Sequence, residues 1–567
     1  MRSSLSCRPR SFMKKAPSFH SGPNSRTSAA FRHIDILPGQ DLPAGYEHSS
    51  HTGQSSRRSG VLLHPTSLTS PYGIGDFGPE AYAFVDWLAD SGCQVWQFLP
   101  LVPPGRDFWS PYSSSDVNSG NPLLISLELL VKEGLLLHSE LPRKHTLGAS
   151  SFELAAQLKE PCLNKAATRL LTRVCSCDEN YDKDLSKAFQ EFQEQSSYWL
   201  PSSATFFSIA TDDNHQGLHW WEWPVGLREC DSTALDDWAT THQECVARFC
   251  AIQYFFHIQL QQLKTYANSK GIKLIGDMPI YVGAHSVDVW AHQELFELDA
   301  RGLPVYVSGV PPDAFSATGQ LWGSPLYDWS KHAQSNYEWW CNRLTRAFEL
   351  CDEVRIDHFR GFAGYWSVPG GADTAMAGSW RKGPGKQFFE AIYKSLGEVK
   401  LVAEDLGVIT EDVVELREII GAPGMVVLQF AWGPNSENPH LPCNHEVKSF
   451  VYTATHDNET TTGWFKESCS PVEKTRLLDF LGTDGSDISW DLMAVGFASV
   501  AQTCVVPMQD ILSLDNSARM NTPGVAAGNW EWQMSTSTNS SSLGELSSRL
   551  HRMNCIYNRL PRSLHTE

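Results

Sequence analysis

The chain has 567 residues, 41% hydrophobic and 19% charged, enough apolar material for a large buried core and too mixed for a disordered or collagen-like polymer. Lys and Arg number 45 against 64 Asp and Glu, a net charge of −19 that repels phosphate and anionic lipid, so neither nucleic acid nor membrane is expected as a partner. No apolar run approaches the ~18 residues of a membrane span. The 14 cysteines are scattered from Cys7 to Cys555 with no metal-ligand spacing, which points to free thiols in a reducing compartment and predicts no bound metal.

The first 33 residues contain no Asp or Glu, yet carry seven Arg or Lys among eight serines. That composition, without the 7–15-residue apolar core of a secretory signal, reads as an organelle transit peptide. Residues 1–60 carry a formal +6 and the remainder −25, and the polar stretch from His48 to Ser59 reads as a linker. Residues 1–58 are therefore expected to be leader and linker, and 59–567 the working domain.

Eight short β-rich apolar runs follow: Gly60 to Leu68, Cys93 to Leu101, Lys273 to Val282, Glu353 to Phe359, Lys400 to Leu406, Met425 to Phe430, Ser449 to Asp457 and Cys504 to Leu512. Several are nearly continuously apolar, as parallel strands covered on both faces are, and segments such as Glu80 to Ala89 and Gly385 to Leu396 suit covering helices. Eight βα units predict an α/β fold, a TIM barrel. The gap between the second and third runs is too long for one connection. Its Trp220, Trp221 and Trp223 and the amphipathic run Cys245 to Tyr266 predict a largely helical insertion within 103–270. About 60 residues follow the start of the eighth run, too few for a C-terminal β-sandwich of ~100.

In four of these runs an apolar stretch terminates in acids: Asp277 after Leu274 to Gly276, Asp357 after Val354 to Ile356, Glu404 with Asp405 after Leu401 to Ala403, and Asp457 after His456. Catalytic groups of a TIM barrel come from the C-terminal ends of its strands. Carboxylates converging there can divide into a nucleophile, a proton donor of raised pKa and a third group that positions sugar hydroxyls, which is glycoside chemistry. Strand alternation puts Arg355 on the side of Asp357, where its charge favours the ionised carboxylate. Asn458 and Arg360 are candidates for orienting these groups, and Trp109, Trp322 and Trp380, in polar loops, for stacking on sugar rings. The chain has no phosphate-binding Gly-rich loop at a strand-to-helix junction and no HExxH, so no cofactor is expected.

Around these residues the chain resembles family 77 of the glycoside hydrolases, the 4-α-glucanotransferases or amylomaltases, and within it the plant plastid type. The motifs are HPTSL from His64, SPYGIGDFG from Ser70, SPY from Ser110, GNPLLISL from Gly120, GDMPIYV from Gly276, PPDAFSATGQLWGSPLYDW from Pro311, RIDHFRG from Arg355, WRKGPG from Trp380, AEDLG from Ala403, THDN from Thr455 and ARMNTPG from Ala518. The resemblance implies Asp357 as nucleophile, Glu404 as general acid/base and Asp457 as transition-state stabiliser. It further implies that Arg355, His456, Asp277 and Tyr112 line the donor subsite, and that a loop with Asp313, Phe315, Ser316 and Trp322 borders the glucan channel. The chain departs from many family members at Ala314 and Ala317, where they carry tyrosine and glutamate. The implied reaction moves segments of α-1,4-glucans to the 4-hydroxyl of glucose or maltooligosaccharides, in a plastid and without a cofactor. An α-amylase-like hydrolase would use the same trio and commonly append a β-sandwich; a silent glucan-binding protein would lose one carboxylate of the three.

Overall fold

The computed structural model describes residues 57–561 except 106–107, 146–148, 176–182, 313–315 and 536–539. The leader expected over 1–58 lies outside them except for its last two residues. Twelve strands occur among the described residues: β1 (Arg58–Leu62), β2 (Val95–Gln97), β3 (Lys273–Pro279), β4 (Tyr306–Val310), β5 (Gln320–Pro325), β6 (Glu353–Asp357), β7 (Gly364–Pro369), β8 (Ser379–Lys382), β9 (Leu401–Ala403), β10 (Gly424–Val427), β11 (Ser449–Tyr452) and β12 (Thr503–Pro507). Eight of them pair in parallel in the order β10-β11-β12-β1-β2-β3-β6-β9. The two ends of this sheet meet where the Ala403 amide donates to the Pro423 carbonyl at 2.9 Å, which brings it round into a TIM barrel.

Alternation explains why these runs are apolar on both faces. Leu62, Val95, Ile275, Val402, Met425, Val427, Phe450 and Val505 fill the barrel interior, while Val61, Trp96, Leu274, Val354, Ile356, Val426, Val451 and Val506 pack outward against helices. Gly60 is required by this closeness: a Cβ there would fall 2.4 Å from the Cβ of Val95 on the neighbouring strand.

Each of the eight predicted runs overlaps a barrel strand, three of them starting one or two residues late (β1, β10 and β12), and all eight overrun the strand at the C-terminal end. Leu428–Phe430 is a 3-10 turn and Met508–Ile511 a helical turn, because the chain leaves the ladder to build the mouth of the barrel while its composition stays apolar. The stretch between β2 and β3 is helical, as expected. Its last helix, Gln243–Ser269, is however the barrel's own crossover, packed on β3 and on the helix Pro79–Asp90. Two fully buried glutamines of that helix hold the loop after β2. Gln253 exchanges hydrogen bonds with the Gly120 backbone at 2.7 and 3.0 Å, and Gln259 does the same with Ser126 at 2.7 and 3.1 Å.

The expectation of largely helical insertions is incomplete. A second, antiparallel sheet of order β5-β4-β7-β8 stands at the mouth, its strands drawn from both sides of β6 in the chain. Its strands are short and partly exposed, so they carry no apolar run. Among the described residues no strand follows β12, only the helical turn Met508–Ile511, a 3-10 turn and the helix Ser540–Ile556. No described helix is long and apolar enough to cross a membrane.

Candidate active site

Register sets the site. β3 and β6 pair Asp277 with Arg355 and Pro279 with Asp357, and β6 and β9 pair Ile356 with Ala403, so Asp357 and Glu404 leave adjacent strands side by side. The link continues past the ladder: the Glu404 amide donates to the Ile356 carbonyl at 3.1 Å, and the Phe359 amide to the Glu404 carbonyl at 3.1 Å. Between them His358 takes a left-handed conformation with φ +54°. A histidine there is uncommon, and it turns the chain sharply off the strand.

Arg355, 4% exposed, is held from both sides. Its Nη1 donates to Asp277 at 2.7 Å, and its Nη2 lies 3.0 Å from Asp357 Oδ1. Asp277 has no exposed side-chain surface and accepts a further hydrogen bond from Tyr112 Oη at 2.7 Å. Asp277 thus sits behind Arg355 and Tyr112. The Tyr112 ring stacks on His456, centroids 5.1 Å apart and planes 10° apart, and His456 Nε2 lies 3.3 Å from Asp457 Oδ1.

The carboxylates differ in environment. Burial raises Asp357 to about 6; Arg355 opposes the rise, and Asp277 and Asp457 add to it. Its side chain keeps 30% of its surface open to the cleft, so water moderates the desolvation. Burial and the neighbouring Asp357 raise Glu404 further, to about 7, against Arg355 and two backbone donors, the His358 amide at 2.7 Å and the Leu406 amide at 2.9 Å. Asp357 is thereby the readier of the two to ionise, and Glu404 the readier to hold a proton.

Two residues without an assigned role in the sequence complete the site. Asn521 Nδ2 donates to Asp457 Oδ1 at 2.6 Å, and Arg519 Nη2 donates to the Asp457 carbonyl at 2.7 Å. Both lie in the quoted ARMNTPG stretch, but nothing in it shows which carboxylate they reach. Trp530, at φ +67°, stands 5.8 Å from the Tyr112 ring and 6.1 Å from that of His456.

The other predicted residues divide. Trp322, 40% exposed, sets its ring edge-on to His358 at 4.7 Å, and Ser316 Oγ donates to the Gly319 carbonyl at 2.7 Å. Asp313 and Phe315, with Ala314, lie outside the described residues. Asn458 Oδ1 accepts from the Thr455 amide and hydroxyl at 2.9 and 2.8 Å and shapes the turn that presents Asp457. Arg360 does not reach a carboxylate of the trio. Its guanidinium lies 4.2 Å over the Trp380 ring and donates to the Val408 carbonyl. Trp109 stacks on Phe152 at 5.2 Å. Among the described residues no cluster of three or more His, Cys, Asp or Glu is placed to hold a metal.

Residues 63–538 match the family model described as 4-alpha-glucanotransferase of glycoside hydrolase family 77. The chloroplastic/amyloplastic 4-alpha-glucanotransferase DPE1 of Arabidopsis thaliana is 48% identical over 552 residues, covering 96% of this chain and 93% of its own. The 4-alpha-glucanotransferase of Thermus thermophilus is 43% identical over 488 residues, covering 84% and 95%. Among solved structures, the amylomaltase of Streptococcus agalactiae in complex with acarbose aligns at TM-score 0.82 and 34% identity, covering 89% of this chain and all of that one. This chain shares the plastid location of the plant relatives and acts on glucans. The chain belongs to the family 77 4-alpha-glucanotransferases.

Proposed function

We propose that Asp357, Glu404 and Asp457 carry the transfer, and that its donors are α-1,4-glucans and maltooligosaccharides, with glucose or another glucan as acceptor. The observation that carries this reading is the pairing of Asp357 and Glu404 on adjacent strand ends with different proton affinities. Asp357, ionised beside Arg355, attacks the anomeric carbon while Glu404 protonates the departing glycosidic oxygen; a covalent glucosyl ester forms and the first glucan leaves. Glu404, now a carboxylate, takes the proton from the acceptor's 4-hydroxyl as that oxygen displaces Asp357, and configuration is retained. Asp457, fixed by Asn521, holds sugar hydroxyls and supports the positive charge of the transition state. Tyr112 and Trp322 offer aromatic faces to the sugar rings. Asp277 keeps Arg355 and Tyr112 in place, Asp313, Phe315 and Ser316 belong to the loop bordering the channel, and residues 1–58 serve as leader and linker to the enzyme of 59–567.

The test is a product chromatogram from pure maltotriose with a parallel reducing-end assay. Glucose plus longer maltooligosaccharides at constant reducing ends is the expected result. An Asp357→Asn enzyme that is folded and still turns over at the wild-type rate would refute the nucleophile assignment.

A further inference from the structure

Outside the cleft, the described surface carries a second groove, walled by the loop after β6, by β8 and by the helices Lys386–Leu396 and Glu411–Ile419. We propose that this groove, centred on Trp380, binds glucose rings of a long α-glucan remote from the bond being exchanged. The proposal rests on the catalytic reading above and extends the same substrate.

Three observations carry it. The Trp380 indole is clamped, with Arg360 over its ring at 4.2 Å and the Trp366 ring packed against it at 5.3 Å, yet 47% of the residue remains exposed. A rigid, half-open indole is an apolar platform that loses little freedom when a ligand arrives, and the apolar faces of glucose rings suit it. Around the platform stand donors and acceptors for sugar hydroxyls: Lys382 and Lys386 on one wall, Thr410 and Glu415 on the other. Finally, one wall of the groove is bonded to the segments that position Glu404. Arg360 lies two residues beyond His358, whose amide holds Glu404, and it donates to the Val408 carbonyl on the loop that leaves Glu404.

The test uses the full chain, with maltotriose and maltoheptaose as short and long substrates. Trp380→Ala is expected to raise KM for maltoheptaose about tenfold relative to KM for maltotriose, about 1.4 kcal/mol, with kcat for the long substrate changed less than twofold. Lys382→Ala, at an exposed position that leaves the clamp intact, is expected to move the ratio the same way by about threefold. Calorimetry of maltoheptaose binding to Asp357→Asn, with and without Trp380→Ala, reads the same contact without turnover. An unchanged ratio in both variants, or maltoheptaose binding that ignores Trp380, overturns the groove while leaving the catalytic reading standing; turnover by Asp357→Asn overturns the latter alone.

Discussion

Asp277 makes the sharpest demand on this account, because it touches a catalytic group only through Arg355. Replacing it by asparagine keeps the shape and removes one buried charge. The amide oxygen can still accept from Arg355, and its nitrogen can donate to Tyr112 Oη. Two carboxylates on the outer nitrogens of one guanidinium sit about 6 Å apart, and at an effective dielectric of about 20 their repulsion is about 3 kcal/mol. That repulsion is one of the forces raising Asp357. With Asp357 30% open to the cleft, screening leaves about half of it, so the carboxylate becomes more acidic by about one pH unit. The wild-type kcat/KM profile is expected to rise near pH 6, as Asp357 ionises, and to fall near pH 7, as Glu404 loses its proton, both limbs belonging to the coupled pair. In Asp277→Asn the acidic limb moves down by about one unit. Stability also falls, by about 3 kcal/mol, since Arg355 loses a buried partner. Initial rates on maltotriose from pH 4.5 to 9, with urea midpoints for both proteins, measure this. A folded variant whose acidic limb stays in place or moves up would refute the reasoning.

Glu404 has a proton affinity raised by folding, so protonation stabilises the native state between its ordinary range and about 7, and stability declines as pH rises through that window. Glu404→Gln, which cannot ionise, is expected to be inactive yet about 2–3 kcal/mol more stable at pH 8 and near wild type at pH 4, as thermal melts at the two pH values will show. Asn521→Ala removes a donor to a catalytic carboxylate and is expected to lower kcat ten- to a hundredfold with little change in KM. Asp76→Ala strands Lys159, which is completely buried and also donates to the Leu123 and Ile125 carbonyls at 2.8 and 3.1 Å; a loss of about 3–5 kcal/mol in denaturant unfolding is expected.

The barrel was legible because its strands are buried on both faces, and eight such runs leave a compositional mark that survives errors at their ends. The acids were legible because each follows an apolar stretch of its run: Asp277 and Asp357 stand in the ladder itself and Glu404 one residue beyond it. The four-stranded sheet left no mark. Ser379–Lys382 is largely exposed and Gly364–Pro369 alternates irregularly, so their pairing rests on neighbours distant in the chain. Residues that act through others were hidden for a related reason. Asn521 lies 64 positions from the Asp457 it holds, and Arg360, which stands next to the catalytic strand, turns to Trp380 instead.

The sheet at the mouth cannot be inherited, lost or exchanged as a cassette. β4 and β5 come before the strand that bears Asp357, β7 and β8 after it, and the central pairing of β4 with β7 joins the two halves. Any cut that removes one half leaves the other with an open edge, and no single segment can be transplanted without taking β6 along. Trp322 on one half and Trp380 on the other therefore change in the presence of a fixed nucleophile strand, and new substrate preferences in this architecture must come residue by residue along that wall.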